Sequence, residues 1–391
     1  MLIERDIFVK IKPYINSPEA IVITGMRRVG KTTLLRQIME EIKSENKIFL
    51  DMENPATRKY FEEENYETIL NNLRFLGMDT GKKGYVFLDE IQFLKNIPSV
   101  VKYLSDHYKI KFFLSGSSSF YLKNLFSESL AGRKYIFELF PLSFREFLRI
   151  KGAKINIEAV KKEISLSHAV FESINRYYDE YLLYGGFPAV AQIESVQEKK
   201  KALEDIFSSY FQLEIIQIGD FRKANVVRDL MLLLMERTGA KIDIQKLSRE
   251  LRVSRETISN YIAFLESTYF ISLIRPFSRN RDTEIRSMPK FYLCDSGLAN
   301  QFSRVSEGAL FENAVFNALR ESGEVNYYQK KSGVEIDFII DKKYAYEVKI
   351  NAYEQDIKKL AALSKELKLK DYRIISRKYS PLEHVRYGFI L

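Results

Sequence analysis

Two groups of residues in this 391-residue chain have the types and spacing to do chemistry. The first is Gly25-Met26-Arg27-Arg28-Val29-Gly30-Lys31-Thr32, a G-x-x-x-x-G-K-T. It follows the apolar run Ala20 to Thr24 and precedes Leu34, Leu35, Ile38, Met39 and Ile42 at helical spacing. Between a strand and a helix, this pattern is a phosphate cradle. The two glycines let backbone N–H groups face a polyphosphate, and the helix N-terminus adds partial positive charge. The expected nucleotide contacts are Gly25, Arg27, Arg28, Val29, Gly30, Lys31, Thr32 and Thr33, and the expected cofactors are ATP and Mg²⁺. Lys31 would reach the β- and γ-phosphates, and the Thr32 hydroxyl would bind the metal. A second apolar strand, Tyr85 to Leu88, ends in Asp89-Glu90, with Asp89 for the metal and Glu90 to polarise the attacking water. A third, Lys111 to Leu114, runs into Ser115 to Ser119. Ser117 is the residue expected to sense the γ-phosphate, although a plain serine-rich loop would look the same. Arg133 is a candidate arginine finger or a surface arginine, acting on its own chain or on a neighbour. The strand Lys47 to Asp51 has Glu53 and Asn54 just past its end, the edge where ligands of open α/β sheets gather.

The second group lies at residues 335–350. Strand alternation puts Glu335, Asp337, Glu347 and Lys349 on one face, with Ile336, Phe338, Ile340, Tyr346 and Val348 on the other. Asp341-Lys342-Lys343 is a three-residue hairpin loop, and pairing Ile340 with Tyr344 sets Asp337 opposite Glu347. Like charges so placed repel, and a divalent cation would relieve the repulsion. A salt-bridged, half-exposed hairpin would show the same pattern.

The segments ITGMRRVGKTTLL, YVFLDEIQ, LSGSSS and LAGRKYIFELFPLSFREFL, in that order, resemble the AAA-type P-loop ATPases of archaea and bacteria. These carry a C-terminal restriction-endonuclease-like domain of unassigned role. YLLYGGFP, VSRETISNYIAFLE and PKFYLCDSGL extend the resemblance over most of the chain. It implies a helical lid after the ATPase core. D-x₉-E-x-K on a hairpin is similar to the catalytic pattern of PD-(D/E)xK nucleases, and Glu312 matches their helical acid. That likeness implies Asp337, Glu347 and Glu312 as Mg²⁺ ligands and Lys349 as the residue positioning the nucleophilic water. Glu335 and Gln329 would be accessory, and the motif's local proline is absent.

The elements that must position these groups suggest an α/β protein of four parts. They are an ATPase core with a parallel sheet (1–140), a helical lid (141–235), a winged helix-turn-helix (236–293) and a nuclease-like α/β domain (294–391). The middle is helical with a break at Gly185-Gly186-Phe187-Pro188. Ile244, Leu247 and Leu251, then Ile258, Ile262 and Leu265, give helix-turn-helix patterning, with Ser254 as N-cap. Arg255, Ser259 and Asn260 could approach a major groove, and Arg279, Arg281 and Arg286 could grip phosphate, unless the module only packs or binds protein. Sixty-one Lys and Arg against 52 Asp and Glu give a net charge of +9, a mild pointer to polyanions. One cysteine and three scattered histidines exclude a disulfide framework and a Cys/His zinc site. With no apolar run long enough for a membrane helix and no signal-peptide pattern, a cytoplasmic protein is expected. The expected function is Mg²⁺-dependent ATP hydrolysis coupled to DNA binding, with metal-dependent DNA cleavage as its extension and a homo-oligomer or protein partner open. The alternative is an ATP-driven protein switch whose C-terminal half is a non-catalytic scaffold.

Overall fold

The run Ala20–Thr24 has no polar alternation, and the strand it forms (β1) is buried at every position. Such strands belong in the middle of a parallel sheet covered on both faces. The computed structural model, which describes residues 4–117, 132–162, 166–219, 221, 223–278, 284 and 287–391, places β1 there. With β2 (Lys47–Asp51), β3 (Gly84–Asp89), β4 (Ile110–Gly116) and β5 (Lys134–Glu138) it forms a sheet of order β2-β3-β4-β1-β5, parallel throughout. The connections carry α1 (Lys31–Glu41), α2 (Tyr66–Phe75) and α3 (Ile97–His107). Their apolar stripes, among them Ile69, Leu73, Val100 and Leu104, close on Val22, Leu50, Val86, Leu88, Phe112 and Leu114. The edge strand β5 is only half-buried along its length, which is why its sequence lacks the apolar run that marks the others.

The chain divides into two compact units, Met1–Phe140 with Ser267–Tyr269, and Pro141–Glu266 with Phe270–Leu391. The second opens with α4 (Phe144–Ile150), started by a reciprocal capping box between Ser143 and Glu146. After it come α5 (His168–Tyr184), α6 (Val196–Tyr210) with a π-helical continuation Phe211–Ile218, and α7 (Ala224–Glu236). Then α8 (Ile244–Glu250) and α9 (Arg255–Ser267) lead to the antiparallel hairpin β6 (Ile271–Pro276) and β7 (Lys290–Leu293). The last part contains α10 (Ser296–Phe302), α11 (Glu307–Leu319), β8 (Val325–Gln329), β9 (Glu335–Ile340), β10 (Tyr344–Lys349), α12 (Glu354–Glu366), β11 (Asp371–Ser376) and β12 (Val385–Tyr387).

One sheet of order β12-β11-β10-β9-β8-β6-β7 takes in all seven of these strands. The boundary expected between residues 293 and 294 therefore falls inside a shared sheet. Parallel pairing of Arg275 with Asn326 and Pro276 with Tyr327 makes the β6–β7 pair part of that sheet. Ile336, Ile339 and Ala345 pack with Leu360 and Leu363 of α12, while Phe338 meets Phe316 of α11 and Tyr292 of β7. Among the described residues no helix is long and apolar enough to cross a membrane.

The motifs YLLYGGFP and PKFYLCDSGL meet at one buried carboxylate. Asp295 accepts from the backbone N–H of Gly186 at 2.7 Å, Gly297 at 2.8 Å and Leu298 at 3.3 Å, the last two capping α10. Gly185, at φ 76°, ends α5 where a Cβ would lie 1.9 Å from Asp295 Oδ1. Burial pushes this carboxyl up to about 6, against the pull of its three N–H donors. Asp295→Ala strands those donors without an acceptor, and should lower the unfolding free energy by about 2–4 kcal/mol in a denaturant titration.

Candidate functional site

The phosphate cradle is shaped by two close approaches. A Cβ on Gly25 would lie 2.1 Å from the Leu139 carbonyl oxygen just after β5, so only glycine fits. Gly30, left-handed at φ 98°, is the N-cap of α1 and supplies no side-chain cap. The first N–H groups of α1 are thus left to an anion. Arg27 and Lys31 are buried, Arg28 and Thr33 are exposed, and Lys31 Nζ donates to the carbonyls of Gly25 at 3.0 Å and Met26 at 3.1 Å. Arg5 braces the loop from beneath, donating to Val29 O and Phe140 O at 2.7 Å each. No motif marks Arg5.

Parallel register carries the other groups to this edge, with Thr24 beside Gly116 and Asp51 beside Asp89. Thr32 Oγ1 donates to Asp89 Oδ2 at 2.6 Å, and Ser115 Oγ donates to Asp89 Oδ1. Burial raises the Asp89 carboxyl above its ordinary value, only partly offset by Ser115 and Thr32. Burial also pulls Glu90 upward, but Lys31, Arg27 and Gln92 outweigh it and hold Glu90 below the usual range. Lys31 lies 3.9 Å and Arg27 3.8 Å from its oxygens. Glu90 has left-handed backbone at φ 54°, a strained setting for a residue with a side chain. Gln92 Nε2 donates to both Glu90 Oε2 and Ser117 Oγ, the latter at 3.0 Å, so Ser117 reaches Glu90 through an amide. The sequence alone points to no role for Ser115 or Gln92, although both lie inside its marked segments.

Arg133 is elsewhere. It precedes β5, whose first residue Lys134 pairs with Ala20 at the start of β1, while the cradle follows Thr24 at that strand's end. Five residues of strand, about 13 Å of rise, separate the two edges. Its guanidinium is paired with Asp106 at the end of α3. Glu53 sits at the cradle edge, 3.9 Å from Arg27, while Asn54 caps the short helix after β2.

The C-terminal hairpin has the expected register, Ile340 with Tyr344 and Phe338 with Tyr346, so the next position sets Asp337 across from Glu347. Its environment is different from a half-exposed face, because Asp337 and Glu347 are buried, only 6% and 5% exposed. Lys349 donates to Glu347 Oε1 at 2.8 Å, and buried Glu347 Oε2 has no hydrogen-bond partner. Glu312 and Glu335 lie near Asp337, and a residue that sequence reasoning missed stands among the three. Lys290 Nζ is 3.7 Å from Glu312, 3.8 Å from Glu335 and 4.0 Å from Asp337. Among the described residues no three His, Cys, Asp or Glu side chains are arranged to hold a metal ion. The residues at Thr32 and Asp89 fit Mg²⁺, whereas the cluster around Lys290 does not.

On the helix-turn-helix segment, Ser254 Oγ accepts from Thr257 N at 3.1 Å and starts α9. Arg255, Ser259 and Asn260 are exposed on that helix. Arg279, Arg281 and Arg286 lie outside the described residues.

Comparison with known proteins matches residues 17–148 to an AAA domain. Residues 175–308 and 307–384 match two domains of unknown function, DUF8612 and DUF4143. An uncharacterized protein of Methanocaldococcus jannaschii, MJ1544, is 30% identical over 386 residues, covering 94% of this chain and 83% of that protein. An uncharacterized Haemophilus influenzae protein is 26% identical, covering 86% of this chain and 84% of its own. Among solved structures, the Walker-type ATPase PABY2304 of Pyrococcus abyssi aligns with TM-score 0.46 and 14% identity, over 77% of this chain and 95% of that one.

Burial, then Asp337, push the Glu312 carboxyl up to about 7 from 4.5. The folded state then holds this proton more tightly than the unfolded chain, so its contribution to stability is full below about 4.5 and is lost as pH rises through about 7. Glu312→Gln, which mimics the protonated acid, should gain stability relative to wild type across that window. Thermal melts of both proteins at pH 4.5 and pH 7.5 measure the difference, and an unchanged gap would contradict the assignment.

Proposed function

The chain belongs to one family with the Methanocaldococcus jannaschii protein MJ1544, its N-terminal third an AAA domain, and on that premise we propose that it hydrolyses ATP with Mg²⁺ and couples the cycle to DNA binding. The observation that carries the ATPase reading is the hydrogen bond from Thr32 to Asp89, which joins the cradle to the end of β3. Thr32 and Asp89 would hold Mg²⁺, which supplies charge neutralisation at the phosphates. The N–H groups of Gly30 to Thr33 would bind the β-phosphate, and Lys31 would leave its two carbonyls for the phosphate oxygens. Glu90, kept ionised by Lys31 and Arg27, would orient and polarise the attacking water. Ser117 would sense the terminal phosphate and pass its position through Gln92 to Glu90. Arg133, at the far edge of the sheet, could serve only a neighbouring copy.

DNA is the proposed partner because α9 exposes Arg255, Ser259 and Asn260 on a chain of net charge +9. The second reading, an ATP-driven switch with a scaffold as its C-terminal half, is favoured by Lys290 standing inside the carboxylate cluster. Restriction-endonuclease-like cleavage by Asp337, Glu347 and Lys349 requires a metal at that place, so it is not part of the proposed cycle.

Glu90→Gln should lower turnover by about 10²–10⁴-fold while retaining ATP, and Lys31→Ala should lose ATP binding itself. Equilibrium binding of a fluorescent ATP analogue and phosphate release distinguish the two. Loss of binding in Glu90→Gln would remove its catalytic assignment. For the partner, anisotropy of a labelled duplex should give log Kd linear in log salt with a slope of about 0.9 per phosphate contacted. Arg255→Ala should weaken that binding. Absence of salt-dependent binding would transfer the reading to the protein switch.

A further inference from the structure

We propose that Lys290 is the resident cation of the carboxylate cluster in the second unit, and that its ammonium closes this cluster to divalent metal ions. The cluster is assembled from four elements: Glu312 on α11, Glu335 and Asp337 on β9, Glu347 on β10, and Lys290 at the first position of β7. Lys290 is buried, and its ammonium stands at the point toward which one oxygen of each of three carboxylates converges, at 3.7, 3.8 and 4.0 Å. An ammonium has three N–H groups and no acceptor, so it suits a place bounded by three anions. Those anions are also engaged by protein donors. Tyr292 donates its hydroxyl to Glu312 Oε1 at 2.7 Å, Gln329 Nε2 donates to Glu335 Oε2 at 3.1 Å, and Val348 N donates to Asp337 Oδ2 at 2.8 Å. Lys241 in turn donates to Gln329 Oε1, fixing that amide's orientation.

A divalent ion needs its oxygens at about 2.0–2.6 Å, and needs several lone pairs directed at one point. To ligate Glu312, Glu335 and Asp337 together it has to displace the ammonium from among them and compete with three hydrogen bonds. Repulsion between the two cations then adds to the cost, in a site with little water to screen it. The Tyr327 ring, 5.7 Å from Lys290 Nζ, covers another side of the ammonium. A buried oxygen without a hydrogen-bond partner, Glu347 Oε2, lies outside this set and is a position from which a metal could contest the assignment. The inference concerns the second unit alone and stands apart from the ATPase reading.

Mn²⁺ uptake by the full-length protein, freed of nucleotide and followed by the electron paramagnetic resonance signal of free Mn²⁺, tests this. Without nucleotide phosphates, Mn²⁺ at the P-loop would meet Thr32 and Asp89 with the neighbouring Glu90 and Ser115. Asp337→Asn distinguishes its binding from binding in the cluster. Wild type and Lys290→Arg should show no Asp337-dependent site, and Lys290→Gln should gain one, at least tenfold tighter than any nucleotide-independent uptake by wild type. That gain should disappear in Lys290→Gln combined with Asp337→Asn. Nucleotide-independent uptake by wild type that is lost in Asp337→Asn or Glu347→Gln overturns the proposal. So does a folded Lys290→Gln that gains nothing, since the acids would then exclude metal without the lysine's help. Should Lys290→Gln not fold, the wild-type melt decides: a rise in Tm with Mn²⁺ that Asp337→Asn abolishes overturns the proposal, and no such rise supports it.

Discussion

The parallel register of the first sheet is the constraint on which the rest of this molecule's first unit depends. Because β1, β3 and β4 run the same way and in step, the segments at their C-terminal ends emerge at one edge. The P-loop, the Asp89-Glu90 pair and the serines after β4 are far apart in sequence, and each segment is too short to form a site alone. Register brings them within hydrogen-bond distance, as Thr32, Asp89 and Ser115 show. The same constraint sets Arg133 at the opposite edge, since it stands before its strand and not after it.

Electrostatics then divide the labour between two adjacent acids. Asp89 is buried against hydroxyls, which stabilise its charge only in part, so its carboxyl titrates high. Glu90 faces two cations of the cradle and remains ionised despite the desolvation it shares with Asp89. A metal or phosphate arriving among these groups changes that balance directly, because Lys31 is shared between Glu90 and the loop carbonyls. Gln92 makes the balance dependent on Ser117 as well. These links tie Ser117, Gln92, Glu90 and Lys31 into one hydrogen-bonded and charged chain.

Much of this is legible in the sequence wherever one segment carries its own geometry. The G-x-x-x-x-G-K-T spacing specifies a loop, the run YVFLDE specifies a strand with acids at its end, and a three-residue turn fixes a hairpin register. The rest depends on distant elements meeting. Arg5, Gln92, Asp295 and Lys290 have no motif around them that says which carbonyl, carboxylate or N–H they will face. Alternation along β9 and β10 implies one wet face and one dry. Lys290 of β7 reaches the acids Glu312 and Asp337 from elsewhere in the chain, and a periodicity of two contains no information about a partner supplied that way.

Lys290 also gives the β6–β7 hairpin a second attachment. Backbone pairing of β6 with β8 joins it to the sheet edge, and the buried ammonium ties β7 to the acids of α11 and β9. Several carboxylates gathered in a poorly solvated place repel one another unless a cation is supplied, and leaving a buried charge unpaired costs more than the pair returns. Supplying that cation from the hairpin makes neutralisation of the cluster and docking of the hairpin a single event. The hairpin that follows α9 is thus joined to the rest of its unit through both strands, β6 by backbone pairing and β7 by its lysine.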